Sequence, residues 1–286
     1  MLNLVIALAI NGIVWGLIIA LIAVGLSIIF GLLDVINLAH GDFFMVGTVF
    51  AWGILELTGN FWLALLIVPL LGLLLGIAVH LLVIKPIGQQ AALTIVATFG
   101  LSIILQEGTR ATFGATPRRL LPPIDGTIPL LGIEYDIYRL VAALISITAI
   151  SGFFLFLHKT KFGTWMRAVR QNREAAITMG IPAGRIFTAT FALGTALAAL
   201  GGAVAAPITT VDFRAGVDIL PFCFMAVIIG GLGNLQGTVA AAVLLSFMEG
   251  VITSVADPTV ARITSLCLMC GVLLLRPQGL FAGLVR

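Results

Sequence analysis

Charge is the scarcest property of this chain. Asp, Glu, Lys and Arg make up 9% of its 286 residues, against 60% hydrophobic residues. A soluble domain carries about 25% charged residues. A globular surface built from this sequence would not stay solvated, so the chain reads as integral to a membrane. Cysteine is also scarce. Cys223, Cys267 and Cys270 all lie in apolar runs, and although "CLMC" (267–270) has redox or metal-pair spacing, its setting favours packing. The three lysines, Lys85, Lys159 and Lys161, follow Ile84, His158 and Thr160 rather than glycine. A phosphate-cradling Gly-Lys-Ser/Thr loop is therefore absent, and any ATP-driven work must draw on another subunit. There is no His-Glu-x-x-His, no serine elbow and no pair of acids on one helical face, which speaks against a membrane enzyme. No cofactor or metal is expected. The N-terminus lacks a basic flank, and its apolar stretch exceeds the roughly 7–15 residues of a signal-peptide core. It is expected to stay in the mature protein.

What the chain does have is apolar length. Apolar segments fall at about 4–33, 43–57, 61–84, 91–106, 138–157, 186–206, 219–231, 236–255 and 260–275. Crossing a hydrocarbon core takes about 20 helical residues, whereas barrel strands need about 10 with alternating polarity. The reading is an all-α integral membrane protein, a polytopic bundle of about eight or nine transmembrane segments. The segments at 43–57 and 219–231 are too short for a comfortable crossing, and the first is too long for a straight one. Short segments beside glycine-rich breaks point to discontinuous helices. The longest polar stretches, 107–137 and 158–185, are too small to hold a core of their own, so residues 1–286 read as one transmembrane domain.

The formal net charge of +3 is small, and the basic residues cluster, so charge speaks to topology rather than to nucleic acid. The loop 158–185 holds Lys159, Lys161, Arg167, Arg170, Arg173 and Arg185 against one acid, Glu174. Positive loops stay cytoplasmic. Counting spans from there places 107–137 and 209–218 outside, the tail with Arg276 and Arg286 inside, and the N-terminus outside.

Four stretches carry more specific information. "FGLLDVINLAHGDFFMVG" (30–47) sets Asp34, Asn37, His40 and Asp42 among Gly31, Gly41 and Gly47, between two membrane-seeking runs. Such polar groups are costly in hydrocarbon and must face a cavity, a partner helix or water. Residues 34–42 either line a translocation route or form a structural break, with Asn37 a candidate cap for the next helix. "GGLGNLQGT" (230–238) echoes that layout, with Asn234 and Gln236 at its glycine break. In the basic loop, 164–179 is expected to form one amphipathic helix displaying Trp165, Met166, Val169, Ile177 and Met179. Gly180 suits its C-terminal cap, and Pro182 prevents continuation. This helix either lies on anionic membrane lipid or docks into a groove of a cytoplasmic ATPase. Finally, Gly194, Ala198, Gly202 and Ala206, four apart, make a small-residue face for close helix packing. Glu249 is an acid deep in a late apolar run. With Asp34 and Asp42 it would be the only means of coupling an ion gradient.

Glu174-Ala175-Ala176 followed by Gly180 resembles the cytoplasmic loop motif of ABC importer permeases. Gly25-Leu26, Phe30-Gly31 and Val35-Ile36-Asn37-Leu38-Ala39-His40-Gly41 resemble the signature of one group of them, the branched-chain (hydrophobic) amino-acid importers, whose relatives carry urea and short amides. Similarity extends to 230–250 and to the tail "RPQGLFAG" (276–283), and the chain resembles the shorter of the two permeases of such an importer. The resemblance implies a second homologous permease, two cytoplasmic ABC ATPases that hydrolyse the ATP, and an extracytoplasmic substrate-binding protein, all at the cytoplasmic (inner) membrane. It implies that Arg170, Arg173, Glu174, Ala175, Ala176 and Gly180 couple to the ATPase. Asn37, His40, Gly41, Asp42, Asn234 and Gln236 are then pathway or helix-break residues.

Overall fold

The computed structural model describes residues 2–88 and 90–281. Arg286 and the last two residues of the tail motif, Ala282 and Gly283, lie outside them. The chain forms α1 (Leu2–Leu33), α2 (His40–Thr58) and α3 (Phe61–Val79). One π-helical turn (His80–Ile84) leads from α3 into α4 (Lys85–Ile87), followed by α5 (Ala91–Phe113). Strands β1 (Arg118–Arg119), β2 (Thr127–Leu130) and β3 (Ile133–Asp136) precede α6 (Ile137–Lys159), α7 (Lys161–Gln171), α8 (Arg173–Thr178) and α9 (Ala183–Ala205). After β4 (Thr210–Val211) come α10 (Ala215–Gly230), α11 (Leu235–Thr253) and α12 (Pro258–Leu275).

Among the described residues, eight helices are long and apolar enough to cross a membrane: α1, α2, α3 with its continuation, α5, α6, α9, α11 and α12. The 16-residue α10 is shorter, as its apolar run suggested. The run at 43–57 is a correction. Its helix has 19 residues because His40, Gly41 and Asp42 form its first turn. Those polar residues are excluded from an apolar count yet are helical here, buried against neighbouring helices.

The core is built on α1 and α9. Helix α1 is apolar all round, the mark of a helix enclosed by others, and Ile18 through Val24 are almost fully buried. Its 32 residues rise about 1.5 Å each, so it outreaches a hydrocarbon core about 30 Å thick. Helix α9 presents the small-residue face, with Gly194, Ala198, Gly202 and Ala206 all buried. At the α1–α9 crossing a Cβ on Gly194 would lie 2.6 Å from the Gly25 carbonyl oxygen, and one on Gly202 would collide with the Phe44 carbonyl of α2. Backbones touch there, so dispersion between helices is gained without side-chain ordering. Gly194→Leu is expected to cost about 3 kcal/mol or more through overpacking, read as loss of the monodisperse peak in size-exclusion chromatography of the solubilised protein.

The two ends of the bundle differ. At one, β2 and β3 pair antiparallel around Leu131–Gly132, and β1 pairs with β4. Positive φ at both loop residues, 49° and 85°, gives the hairpin a type I′ turn. The N-terminal half of α1 is tied to this end, where Asn11 Oδ1 accepts from Tyr135 Oη at 2.8 Å and Arg139 Nη1 at 2.9 Å. The opposite end gathers the C-terminus of α1, helices α7 and α8, and the tail, where Leu280 N–H donates to the Ile229 carbonyl at 2.8 Å. Cys223 is buried in the core, but Cys267 and Cys270 lie exposed on α12. Packing, expected for the pair at 267–270, is not made there, because α12 is a peripheral helix with most of its surface uncovered.

Candidate translocation and coupling site

After Leu33 the chain turns back into the bundle. Asp34 takes a left-handed conformation (φ 56°), which Asp tolerates better than most residues. His40 then lies beside the middle of α1, its Nε2 donating to the Ile22 carbonyl at 3.0 Å. Three of the four polar residues of this segment are buried and Asp34 is exposed: Asn37 and His40 are fully buried and Asp42 is 2% exposed. Asn37 does not cap α2. The N-cap position is Ala39, and Asn37 Oδ1 accepts from the Ala39 N–H at 3.1 Å, two residues on, closing the turn one step before the helix begins. Asn37 Nδ2 and His40 Nδ1 are buried without a hydrogen-bond partner among the described residues. Gly41 permits the turn's closest approach, since a Cβ there would collide with the Gly216 carbonyl at the start of α10.

The partners of this turn come from α5. Leu38 N–H donates to Thr98 Oγ1 at 3.1 Å, and Gln106 Nε2 donates to Asp42 Oδ1 and to Ser102 Oγ, both at 2.9 Å. Sequence reasoning missed these residues, although Thr94, Thr98, Ser102 and Gln106 recur every four residues and so stripe one helical face. Breaking a helix frees backbone groups that need protein or water partners in a membrane, and this stripe supplies them.

Asn234 and Gln236 are not in that turn. They lie against the C-terminal end of α1, on the second break (231–234) between α10 and α11, which reproduces the expected layout of short helix, glycine break and longer helix. Asn234 is the N-cap of α11: its Oδ1 accepts from Gly237 N–H at 3.1 Å, while its Nδ2 donates to the Phe281 carbonyl at 2.9 Å. Gln236 is exposed at the rim of a cavity of about 430 Å³ between α1, α7 and this break.

The basic loop folds as two helices, not one. Asn172 leaves helical geometry (φ −156°, ψ 105°) and caps α8 by accepting from Ala175 N–H at 3.0 Å. Asn competes for local backbone hydrogen bonds, so a cap wins over continuation here. The expected single apolar face is divided accordingly. Met166, Val169 and Ala176 are buried against the bundle, while Trp165, Ile177 and Met179 are exposed. Gly180 adopts φ 81°, with its own N–H on the Ile177 carbonyl at 2.9 Å and the Ile181 N–H on the Ala176 carbonyl at 3.0 Å. This is the glycine C-cap read from the sequence. Glu174 and Ala175 are exposed, and the Arg173 guanidinium lies 5.1 Å from the Phe187 ring centre. Arg170 turns inward, Nη1 donating to the Gly233 carbonyl at 2.9 Å. Gly233 in turn rests on Gly31, where an added Cβ would meet the Gly233 Cα at 2.9 Å. One arginine of the loop therefore touches the second break where it packs on the end of α1.

A multi-pass helical bundle with two helix breaks packed against α1, one of them wired to a basic loop at its end, is the architecture of a membrane permease. The chain belongs to the family described as branched-chain amino acid transport system, permease component, whose signature matches residues 8–275. That family consists of transport permeases of ABC importers, not enzymes. The chain is 25% identical over 293 residues to the high-affinity branched-chain amino acid transport system permease protein BraD of Pseudomonas aeruginosa, covering 95% of this chain and 94% of that one. It is 25% identical over 286 residues to the probable branched-chain amino acid transport permease protein LivH of Methanocaldococcus jannaschii, covering 94% and 90%. It is also 29% identical over 243 residues to the fructose import permease protein FruF of Bifidobacterium longum, covering 80% of this chain and 65% of that one. No solved structure matches the chain significantly.

Proposed function

We propose that this chain is the shorter permease subunit of an ABC importer that carries branched-chain or other hydrophobic amino acids across the cytoplasmic membrane. It works with a second homologous permease, two cytoplasmic ATPases and an extracytoplasmic binding protein, as one transmembrane domain over its whole length. The N-terminus and the hairpin end face outward, and the α7–α8 end faces the cytoplasm. The positive charge of 158–185 supports this orientation. The observation that carries the reading is the α7–α8 loop: a rigid, capped pair of helices with Glu174, Ala175, Ile177 and Met179 exposed, held to the bundle by buried Met166 and Val169. Exposed apolar residues beside charges on such a short element suit a docking knob for an ATPase groove.

The test is uptake of radiolabelled leucine by vesicles containing the complete complex, with ATP and the binding protein inside and outside respectively. ATP-dependent leucine accumulation is expected. Fructose or urea accumulation in its place would assign a different cargo to the same machinery. Uptake that ignores ATP and collapses with the proton gradient would make the chain an ion-coupled transporter. Within this assay Glu174→Lys and Gly180→Leu are each expected to reduce uptake below about one-tenth while the protein still inserts. The first reverses the docking charge, and the second costs about 1 kcal/mol at a left-handed position and redirects the chain after α8. Normal uptake by both variants at equal expression would remove the loop from the coupling path.

A further inference from the structure

At the hairpin end, a second cavity of about 270 Å³ opens between α1, α2, the β4–α10 segment and α12. Pockets that enclose small molecules run from about 300 Å³ upward, so this one suits a molecule the size of a single amino acid. Its lining combines both signs of charge with an apolar wall. Asp212 stands on the segment that leads into α10, Asp218 in the first turn of α10 and Arg262 on α12, and Trp15, Phe44 and Phe222 form the wall. In a chain with so few charges, three converging on one small cavity is a feature to explain.

Their arrangement is that of a receptor for a zwitterion. No ion pair joins Arg262 to Asp212 or Asp218 across the cavity. The Arg262 guanidinium lies over the Phe222 ring, 4.9 Å from its centre. Stacking of this kind occupies the face of the guanidinium and leaves its edge donors free for a planar carboxylate. Asp212 is fixed by its Oδ1, which accepts from Arg214 N–H at 2.8 Å, and its second oxygen is available to an ammonium group. Asp218 is exposed in the first turn of α10. The aromatic wall accounts for a side chain that is neither charged nor polar. Phe44 of the wall stands two residues beyond Asp42 in α2, and Gly216, beside Ala215 of the lining, lies so close to Asp42 that an added Cβ would be 2.6 Å from Asp42 Oδ1.

We propose that this cavity is an entry site for a zwitterionic amino acid with an apolar side chain, in which Arg262 holds the carboxylate, Asp212 and Asp218 hold the ammonium, and Trp15, Phe44 and Phe222 take the side chain. The proposal rests on the amino-acid reading of the cargo. Exposed charges and an open mouth make the site weak, as a station on a pathway must be if the solute is to leave it.

The experiment uses the complete complex in detergent or vesicles and photo-leucine, a diazirine analogue of leucine, as probe. Irradiation followed by peptide mass spectrometry is expected to place adducts on the peptides that carry Trp15, Phe44 or Phe222. Excess leucine should suppress labelling, and leucine amide, which lacks the carboxylate, should not. Arg262→Gln is expected to reduce labelling about tenfold through loss of the charge-assisted contact, with Arg262→Lys partly restoring it. Asp218→Asn, at an exposed position that cannot compromise folding of the core, is expected to lower labelling as well. Labelling confined to other peptides, or unchanged in both Arg262→Gln and Asp218→Asn while wild-type vesicles accumulate leucine, would overturn the entry site and leave the importer reading standing. Wild-type vesicles that accumulate no leucine would overturn both.

Discussion

Replacing Arg170 by methionine is expected to leave the assembled importer hydrolysing ATP while leucine uptake falls roughly tenfold to a hundredfold, the range of coupling free energies between linked sites. The reason is positional. Arg170 belongs to the loop proposed to meet the ATPase, yet its guanidinium does not point at a docking partner. It donates at 2.9 Å to the carbonyl of Gly233, whose backbone is held at φ 75° against Gly31. A movement of α7 is therefore expected to reach the glycine break between α10 and α11 and, through Gly31, the end of α1. Methionine keeps the unbranched apolar stem of the side chain but is shorter and has no donor, so α7 should stay packed through Met166 and Val169 while its link to the break is cut. Lysine keeps the charge as a single compact donor and cannot reproduce the planar fork of arginine, so Arg170→Lys should fall between wild type and Arg170→Met. The measurement is ATP hydrolysis and leucine uptake in the same vesicles. If both activities fall together and the ATPase is lost from the purified complex, Arg170 acts in docking. If neither changes, the bond to Gly233 transmits nothing.

How much of this was legible in the sequence follows from which signals are local. The membrane bundle, an interruption somewhere in 34–42, the Gly180 cap and the small-residue face of α9 were legible, because each depends on composition or on spacing within one segment. Asn172 was not. It sits inside an amphipathic pattern that continues on both sides, and only its own geometry decides between cap and helix interior. The first turn of α2 was misread for the opposite reason: His40 and Asp42 are polar, so an apolar count stops short of them, while burial against Ile22 and the α5 stripe makes them part of the helix. The inward turn of Arg170 was illegible in a different way. Nothing in 158–185 refers to Gly233, 63 residues further along, and a cluster of arginines on a loop gives no sign of which one turns back into the protein. Arg262 and Asp218 were passed over because they flank apolar runs where charges are common, and only the fold brings them to one cavity.

His40→Ala is expected to lower the thermal midpoint of the purified protein by about 5 °C or more and to abolish most of its uptake, and His40→Gln is expected to recover both. The imidazole is fully buried, packed edge-on against Phe43 with ring centres 6.2 Å apart. Truncating a large buried side chain to alanine costs about 3 kcal/mol, and in a chain of this size each kcal/mol is worth about 2–4 °C. Its Nε2 also supplies the contact that brings the re-entrant turn back onto α1 at Ile22, 18 residues earlier in the chain. Without it the turn keeps only local bonds and those to α5. Glutamine carries an amide N–H at a similar reach from Cα, so it can renew the bond to the Ile22 carbonyl. The pair of variants separates the two readings of this segment. If His40 holds a structural break, the glutamine variant regains stability and transport together, because one hydrogen bond underlies both. If the imidazole itself contacts the passing solute, glutamine restores the melting temperature while uptake stays low. The geometry favours the first outcome: Nε2 is committed to the backbone of α1, and the whole ring is fully buried, at a depth where a carbonyl has few other partners and the bond is correspondingly hard to give up.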